Sequence, residues 1–361
     1  MQPIILFGGS FDPIHNGHLS IAEEACRLLN AEKVIFIPAK NPRWKNPSDI
    51  KDRKEMLELA LKNRKNFEIS DFEINSVSEV NYSIDTVKYF LSKFPDRKLY
   101  LLIGYDQMDR LKDWKDIGEL AGLIQMVAYA RPFYSKDDEA IKNYHIRIIE
   151  TATNTFSSTD IRTGKDLHAP LDVLNYIVDH ELYFMPSVKQ ILNPHRYLHS
   201  ISVARTAYEI AKGNHLDPCL AFQAGLFHDI GKDLSQEKQK VYMDLFFSQF
   251  EPMPSFSYHQ FVSSYLANKL FGVDNKSVLQ AIEFHCTGKG MMSDLEKCIY
   301  AADKCEPTRQ FDTLGMREAC IANITKGFAA LLKEHAQYFE KAGIDFSSNP
   351  LTKSMYASYL K

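Results

Sequence analysis

The sequence lacks the features that mark several specialised classes of protein. Its six cysteines form no CxxC pair, which indicates scattered reduced thiols in a cytosolic protein and argues against a disulfide framework. No basic segment followed by an apolar core stands at the N-terminus, and no uninterrupted apolar run is long enough to cross a bilayer. The net charge of −3 argues against broad nucleic-acid or membrane binding. We therefore expect a cytoplasmic protein without nucleic-acid or membrane partners.

The chain is long enough for two domains. At 361 residues it exceeds an average single domain, and its composition, 45% hydrophobic and 25% charged, is that of a soluble globular protein. In the first half, short apolar runs alternate with amphipathic segments, which predicts a parallel sheet covered by helices on both faces. The predicted strands are residues 3–9, 34–39, 67–74, 99–104, 124–130 and 146–151. The predicted helices between them include residues 17–30, 52–63 and 83–94, the last with Ser83 as its N-cap.

The pattern changes near residue 185. After "LYFMPS", residues 182–187, the sequence shows no convincing β run. The remaining residues predict successive amphipathic helices, for example 199–212, 218–229, 259–271 and 277–285. We therefore predict an α/β domain over residues 1–186, followed by an all-α domain over residues 187–361.

A glycine turn and two histidines follow the first predicted strand, in "GGSFDPIHNGH", residues 8–18. The glycines let the backbone approach a phosphate, and the helix that begins near Gly17 directs free N–H groups to the same point. His15 and His18 project the same way, so they can offset the charge that develops on a transferring phosphoryl group. The spacing GxxxxGK[ST] is missing, which excludes a P-loop. The alternative is a glycine turn with two surface histidines.

This stretch resembles the signature of the nucleotidyltransferases and, more narrowly, of bacterial nicotinate-nucleotide adenylyltransferases. Three further segments carry the likeness: "FSSTDIR" at 156–162 is similar to the family's ISSTxIR, "LLIGYDQMDRLKDW" at 101–114 to its GAD…W segment, and "YSIDT" at 82–86 to its nicotinate-reading loop. The likeness covers residues 1–184 and implies a Rossmann-like fold. It also implies transfer of AMP from ATP, with Mg²⁺, to nicotinate mononucleotide, giving deamido-NAD and pyrophosphate.

The resemblance also implies roles for individual residues. His15, His18 and Arg162 would be catalytic, and Trp114 would stack on the nicotinate ring. The implied substrate-binding residues are Gly8, Gly9, Ser10, Phe11, Lys45, Thr86, Gly104, Asp106, Trp114, Arg131, Ser158 and Thr159. In place of the family's PPHK-like stretch the chain has "NPRWKNP", in which Arg43 and Lys45 would supply the positive charge. Phosphopantetheine and nicotinamide mononucleotide stay open as alternative acceptors.

Ligand-type side chains recur in the second half of the chain. In order they are His199, His228, Asp229, His259, His285 and Asp303. Imidazoles and carboxylates at separated helical positions can converge on a metal, and their N and O donors suit Fe, Mn, Co or Mg. The carboxylate of an adjacent His–Asp pair can bridge two metals, which at about 3.5–4 Å apart would hold a hydroxide and clamp a phosphate oxygen. A single such histidine is more often structural, so the prediction depends on the whole set.

That order resembles the HD-domain metal-dependent phosphohydrolases, an all-α family. The segments "HDIGK", "FHCTGK" and "AADKCEPTR" narrow the likeness, over residues 188–310, to bacterial symmetrical diadenosine tetraphosphate hydrolases with a di-iron centre. By this likeness, one metal is held by His199, His228, Asp229 and Asp303. Asp229 bridges to a second metal on His259 and His285. Asp229 and Lys232 would be catalytic, the latter on phosphate oxygens, while Thr287 and Gly288 shape the nucleotide pocket. The products would be two ADP.

The sequence thus predicts a bifunctional enzyme whose substrates are ATP, nicotinate mononucleotide and diadenosine tetraphosphate. Two alternatives stay open. One half could be a catalytically weak nucleotide sensor, or the second half could hydrolyse a different nucleotide. The metal identity, and whether identical chains associate, are also left open.

Overall fold

The structure is a computed structural model that describes residues 1–42, 46–78, 80–129, 138–150, 156–309, 312–343, 345 and 349–360. Its contacts divide the chain into two compact units. One comprises Met1–Thr159 and His168–Tyr176, and the other comprises Asp160–Leu167 and Ile177–Lys361. The domain boundary at residue 186 stays a prediction.

A parallel sheet organises the first unit. Its strands are β1 (Ile4–Gly9), β2 (Lys33–Pro38), β3 (Phe67–Ile69), β4 (Leu99–Gly104), β5 (Gln125–Tyr129) and β6 (Arg147–Ile149), in the spatial order β3-β2-β1-β4-β5-β6. Every neighbouring pair is parallel. The predicted strands are confirmed, although β3 ends five residues before the predicted limit because residues 72–75 form turns. Strand order reverses at β1 and β4, which is where a ligand crevice is expected.

Helices complete the first unit: α1 (Asn16–Leu28), α2 (Ile50–Leu61), α3 (Ser83–Lys93), α4 (Ile117–Leu123) and α5 (Asp138–Asn143), with a 3-10 helix at Tyr105–Asp113. Two further helices, α6 (Ser158–Thr163) and α7 (Leu171–Asp179), contribute residues to both units. Successive β1 residues point to opposite faces of the sheet, and both Ile4 and Ile5 are buried, so both faces are covered. The prediction of Ser83 as N-cap was wrong. Tyr82 keeps an extended backbone and occupies the cap position, and Ser83 is the first helical residue.

The second unit is helical throughout the residues that are described. Its helices are α8 (Met185–Ile191), α9 (Pro194–Gly213), α10 (Pro218–Phe227), α11 (Gln236–Phe246), α12 (Tyr258–Phe271), α13 (Lys276–Glu283), α14 (Asp294–Cys305), α15 (Leu314–Ala322), α16 (Ile324–Ala342) and α17 (Pro350–Tyr359). This confirms the all-α prediction.

The close crossing of α9 and α10 brings together two elements that carry candidate ligands. A Cβ on Gly225 of α10 would lie 2.8 Å from the Cα of Ala204 on α9, so glycine is what allows this approach. Asn193 caps α9 by accepting the N–H of Arg196, and Pro194 opens the helix. Among the residues with described positions, no helix is both long and apolar enough to cross a membrane.

Candidate active sites

The first candidate site begins where β1 ends. Gly8 is exposed, and a Cβ there would meet no atom within 4 Å, so the surface above it is open. A Cβ on Gly9 would lie 2.9 Å from the ring of Phe11, so this glycine is needed for the ring to pack. Phe11 has a φ of 45°, unusual for a side-chain-bearing residue, and its buried ring contacts Phe7 and Phe36 at centroid distances of 5.5 Å. The buried ring of Phe11 therefore holds the turn in place, while the turn leaves the surface at Gly8 open to a ligand.

The two histidines stack at the N-terminus of α1. His15 is its N-cap residue, and its Nδ1 accepts the backbone N–H of His18 at 3.4 Å. The two ring centroids lie 3.7 Å apart with an angle of 31° between the rings. Because Nδ1 of His15 accepts, a neutral His15 carries its proton on Nε2, the atom that can donate to a ligand. The predicted convergence of these imidazoles is present in the structure.

The second motif meets the first at this point. Ser158, the first residue of α6, donates its hydroxyl to the carbonyl of Pro13 at 2.9 Å. The N–H of Thr159 bonds to Oγ of Ser157 at 3.1 Å. The N–H of Asn16 in α1 donates to the carbonyl of His168 at 3.0 Å. Direct hydrogen bonds therefore join the turn before α1 to Ser158 and the start of α1 to His168.

The roles of Arg162, Lys45 and Arg131 in this site stay predictions. Arg162 lies near the end of α6, in the part of the chain that belongs to the second unit, so its role stays a prediction. Lys45 and Arg131, with Arg43 of the altered PPHK-like stretch, fall outside the described residues.

A small cavity lies beside the predicted nicotinate-stacking residue. Its volume is about 110 Å³, and it is lined by Val80, Asn81, Tyr82, Ser83, Asp113, Trp114 and Lys115. The N-terminus of α3 opens onto it, and Tyr82 supplies no side-chain cap to the first N–H groups of that helix. An aromatic wall beside a helix N-terminus suits a flat ring that bears a carboxylate.

Three other residues predicted to bind substrate, Gly104, Asp106 and Thr86, have hydrogen bonds or close contacts within the protein. A Cβ on Gly104 would overlap the carboxylate of Asp106, so glycine is what leaves space for that carboxylate. The carboxylate of Asp106 accepts from the side-chain amide of Gln107 at 2.8 Å. The buried hydroxyl of Thr86 donates to Glu73 at 2.7 Å. Burial raises the pKa of Glu73 above its ordinary value. Thr86 thus anchors Glu73, and a direct role in binding substrate stays a prediction.

A buried arginine in this region escaped the sequence analysis. Arg53 of α2 is 1% exposed, and its guanidinium donates to four backbone carbonyls, at 2.8–3.0 Å: those of Ser10, Ala39, Lys40 and Ser48. Ser48 also donates its hydroxyl to the buried carboxylate of Asp12. A signal was present, because Arg53 precedes Met56 by three residues and Leu57 by four. It therefore lies on the inward face of a predicted helix.

The second candidate site gathers all six predicted metal ligands. His199 lies in α9, His228 and Asp229 follow α10, His259 lies in α12, His285 follows α13, and Asp303 lies in α14. Each of the six is at most 7% exposed. Two groups have ligand atoms within 4.8 Å of one another, namely His199 with His228 and Asp303, and His228 with Asp229 and His285.

Three of the imidazoles are oriented by backbone carbonyls. Nδ1 of His228, His259 and His285 bonds to the carbonyl three residues earlier, at 2.7, 2.8 and 2.8 Å. Nδ1 therefore carries the proton and Nε2 presents a lone pair to the centre of the site. Nε2 of His228 is buried and has no hydrogen-bond partner among the described residues. A buried acceptor of this kind is what a metal ion would satisfy.

The spacing of the donor atoms fits metal ligands. Nε2 of His259 and Nε2 of His285 lie 3.2 Å apart. Two nitrogens at about 2.1 Å from one cation, at a right angle, would be roughly 3.0 Å apart. Asp229 directs Oδ1 to these two nitrogens, at 3.3 and 3.4 Å, while Oδ2 lies 3.8 Å from Nε2 of His228. The other carboxylate, Asp303, lies 3.1 Å from Nε2 of His199.

The charge states also suit a cation. Burial lowers the pKa of His228 to about 3, so its ring is neutral near pH 7. Burial alone would raise the pKa of Asp229 and Asp303, but contacts with the histidines, and with Lys304 for Asp303, hold both well below the ordinary value. Burial would lower the pKa of His199 as well, but its hydrogen bonds with Asp303 and Glu306 raise it to about 9, so this ring must lose a proton before its Nε2 can hold a metal. Imidazole nitrogens with ionised carboxylates form a donor set for divalent first-row metals or Mg²⁺.

Glu306 supports this site and was missed in the sequence. Its Oε1 lies 3.1 Å from Nδ1 of His199, so it orients that ring as backbone carbonyls orient the others. Burial would raise the pKa of Glu306, but hydrogen bonds from His199, Ser202 and Thr308 lower it to about 2. The residue stands inside the quoted "AADKCEPTR", but sequence alone does not show which ligand it contacts.

Cations surround the candidate metal ligands. Lys232, predicted to meet phosphate, has its Nζ 3.0 Å from Nε2 of His259, the ring nitrogen that carries the lone pair. Three further cations were not predicted: Arg196 contacts Asp229 at 2.8 Å, Lys304 contacts Asp303 at 2.6 Å, and Arg309 contacts Asp303 at 2.5 Å. Arg196 lies one turn before His199 on α9, so helical spacing could have indicated it. The four charges suit a polyanionic substrate.

Thr287 and Gly288 lie directly after His285 but are engaged in packing. The buried Thr287 hydroxyl accepts from the Gln260 amide at 3.0 Å. Gly288 has a φ of 61°, and a Cβ there would overlap the sulfur of Met355 on α17. Both residues hold the loop of His285 in place, and shaping of a nucleotide pocket stays a prediction.

Comparison with known proteins follows the same division. A family model described as cytidylyltransferase-like matches residues 6–164, and the HD domain model matches residues 196–308. A protein of Mycoplasma genitalium named probable nicotinate-nucleotide adenylyltransferase/Ap4A hydrolase is 35% identical over 314 residues, covering 86% of this chain and 89% of that protein. This chain belongs to the same family. The resemblance found in the sequence motifs is confirmed.

Two further known proteins are similar to this chain. The protein of the same name from Mycoplasma pneumoniae is 31% identical over 309 residues, covering 84% of this chain and 89% of its own. A solved structure, a predicted HD superfamily hydrolase involved in NAD metabolism from Clostridium acetobutylicum, is 31% identical and covers 50% of this chain and 93% of its own, with a TM-score of 0.42.

Proposed function

We propose that this chain is a bifunctional enzyme. Its first unit transfers AMP from ATP to nicotinate mononucleotide, giving deamido-NAD and pyrophosphate, and its second unit hydrolyses diadenosine tetraphosphate (Ap4A) symmetrically to two ADP. The observation that carries the proposal is the presence of two separate groups of side chains in a member of this family. One is the stacked pair His15 and His18, beside the Pro13 carbonyl that Ser158 contacts, and the other is the set of six candidate metal ligands. The small-molecule substrates make the cytoplasm the expected location.

In the first unit, catalysis is positioning and neutralisation of charge. A phosphate oxygen of nicotinate mononucleotide attacks the α-phosphorus of ATP, a new P–O bond forms, and the α–β anhydride bond breaks to release pyrophosphate. His15 and His18 donate hydrogen bonds to the phosphoryl oxygens as negative charge develops. Mg²⁺ accompanies ATP and neutralises its phosphates. Trp114 stacks on the nicotinate ring, while the N–H groups at the start of α3 bind its carboxylate.

In the second unit, we infer a site for two divalent metal ions, with iron as first candidate and Mn, Co or Mg as the others. His199, His228 and Asp303 would hold one ion, His259 and His285 the other, and Asp229 would reach both through its two oxygens. Ions of this kind supply a nucleophile from water and polarise phosphoryl oxygens. Lys232, Arg196 and Arg309 bind and orient the tetraphosphate. A water oxygen attacks one of the two central phosphorus atoms, and the anhydride bond between these two phosphorus atoms breaks. One ADP leaves, and the other half, which has gained the water oxygen, is the second ADP.

Product analysis tests the hydrolase. The full-length protein, purified without chelator, is incubated with Ap4A and Mn²⁺ or anaerobic Fe²⁺, and the nucleotides are resolved by chromatography. We expect ADP as the sole product, with turnover lost in His228→Ala and kept in the control His215→Asn, which changes an exposed histidine at a φ of 57°. ATP plus AMP would contradict symmetrical attack. Cleavage of other nucleotides alone would contradict the substrate, and no turnover of any nucleotide would favour a sensor.

Acceptor competition tests the transferase. ATP is offered with nicotinate mononucleotide, nicotinamide mononucleotide or phosphopantetheine, and pyrophosphate release is followed together with the adenylylated product. We expect nicotinate mononucleotide to have the highest kcat/KM. Preference for either other acceptor would contradict the proposed substrate while keeping adenylyl transfer.

A further inference from the structure

Four hydrogen bonds from Arg53 to described residues join three segments at the carboxyl ends of β1 and β2. Ser10 belongs to the turn after β1, Ala39 and Lys40 follow β2, and Ser48 precedes α2. These segments are neighbours, because Gly9 pairs with Pro38 in the sheet and the N–H of Ala39 donates to the carbonyl of Gly9 at 2.9 Å. We call this arrangement the Arg53 clamp.

Arginine is suited to this position by its donor geometry. A guanidinium carries five N–H groups in a planar fork, and burying it is costly unless they are bonded. Here its donors reach carbonyls in different directions within the buried interior. A lysine ammonium could reach only some of them from a single point, and a methionine none. Four bonds to backbone carbonyls hold the path of the chain, because the acceptors cannot turn away by rotating their own side chains.

The clamp also determines where one backbone N–H points. The Ser10–Phe11 peptide is trans, since the cis bonds lie elsewhere. In a trans peptide the N–H points opposite to the C=O. Because Arg53 holds the Ser10 carbonyl inward, the N–H of Phe11 is directed away from the clamp. Phe11 has a φ of 45°, and such a conformation persists only where its surroundings hold it.

We propose that Arg53 is a positioning residue for ATP. It does not touch the substrate, but it presets the glycine turn so that the Phe11 N–H and the open surface over Gly8 receive the triphosphate without rearrangement. Ser48 and the backbone of Lys40 are held beside the same turn, Ser48 by its bonds to Arg53 and Asp12 and Lys40 by the bond from Arg53 to its carbonyl. This inference rests on the proposed adenylyl transfer in the first unit.

The test uses the full-length protein and four variants: Arg53→Met, Arg53→Lys, Ser48→Ala and the control Arg64→Met. Arg64 follows α2 and precedes β3, at the opposite edge of the sheet from the glycine turn. For each variant, kcat and KM are measured separately for ATP and for nicotinate mononucleotide. Calorimetry measures binding of α,β-methylene-ATP, and Ap4A hydrolysis by the second unit reports the concentration of active chain.

We expect kcat/KM for ATP to fall about 100-fold in Arg53→Met and about tenfold in Arg53→Lys, because displacement of a reacting group by about 1 Å costs this much. Ser48→Ala should lose about threefold, and the KM for nicotinate mononucleotide should change by less than about threefold throughout. Arg64→Met should match the wild type, as should Ap4A hydrolysis in all variants.

Unchanged ATP kinetics in Arg53→Lys and Ser48→Ala would overturn the inference, and so would an equal loss for both substrates. If Arg53→Met fails to fold, these two milder variants decide the question. If the wild type forms no dinucleotide, the proposed transfer fails. Binding of the ATP analogue then decides the role of Arg53. Weaker binding in Arg53→Lys than in the wild type would support the role, and equal binding would overturn it.

Discussion

Replacing Glu306 by glutamine should weaken the metal site at His199 and leave the fold intact. Glu306 accepts from Nδ1 of His199 at 3.1 Å, from the Thr308 hydroxyl at 2.7 Å and from the Thr308 N–H at 2.6 Å. Glutamine keeps one acceptor oxygen but turns its NH₂ group toward at least one of these donors, and the negative charge behind His199 is lost.

Two estimates of the effect agree. A hydrogen bond to a charged group contributes about 1.5–3 kcal/mol. Loss of a carboxylate behind a metal-bound histidine typically costs about 10–100-fold in metal affinity, which corresponds to about 1.4–2.7 kcal/mol. We therefore expect the ion held by His199 and Asp303 to bind about 10–100-fold more weakly in Glu306→Gln, and the second ion to keep its affinity.

The assay is equilibrium dialysis against Mn²⁺, or anaerobic Fe²⁺, with elemental analysis of the ions bound per chain at each free concentration. The matched control is Glu296→Gln. Glu296 is equally buried, lies near the opposite end of α14, and bonds to Lys289 and to the N–H of Ser293 at 2.6 Å. The control should bind ions with the same stoichiometry and affinity as the wild type. If Glu306→Gln also binds two ions with wild-type affinity, the orienting role of Glu306 is refuted.

Three further predictions address other parts of the account. Trp114→Ala should raise the KM for nicotinate mononucleotide about tenfold, because a stacked ring is worth about 1–3 kcal/mol, while Trp114→Phe should stay near the wild type; equal KM values in both variants would contradict stacking. Gly9→Ala should destabilise the first unit by about 1–3 kcal/mol in thermal melts, since its Cβ would lie 2.9 Å from Phe11; an unchanged melting temperature would show that the ring can move freely. Dialysis against 1,10-phenanthroline followed by excess Mg²⁺-ATP should abolish Ap4A hydrolysis and preserve adenylyl transfer; loss of both, or of neither, would contradict a tightly bound metal confined to the second unit.

The sheet was predictable because its strands are apolar on both faces. Runs such as residues 99–104, which β4 occupies, are buried at every position, and few other structures accommodate such a run. Local detail was harder to predict. Ser83 has the chemistry of an N-cap, but Tyr82 takes that position because its backbone stays extended. β3 is short because residues 72–75 form turns, which alternation of apolar residues does not reveal.

The convergence of the six candidate metal ligands was predictable because their residue types are rare in apolar surroundings. Each is a histidine or aspartate on or beside an apolar helix, and the structure brings them together, while metal binding by them stays a prediction. Arg53 and Glu306 were not predictable in the same way. Arg53 bonds to backbone carbonyls, which every residue has, and Glu306 meets His199 from more than a hundred residues away. Their roles depend on contacts that exist only in the folded chain.

The central claim is that one chain holds two independent active sites, and reciprocal inactivation tests it most directly. Adenylyl transfer to nicotinate mononucleotide and Ap4A hydrolysis are measured side by side in the wild type, in His18→Ala and in His228→Ala. We predict that His18→Ala loses only the transfer, by about 100-fold or more, and that His228→Ala loses only the hydrolysis. Loss of both activities in either variant, or retention of hydrolysis in His228→Ala, would contradict the account.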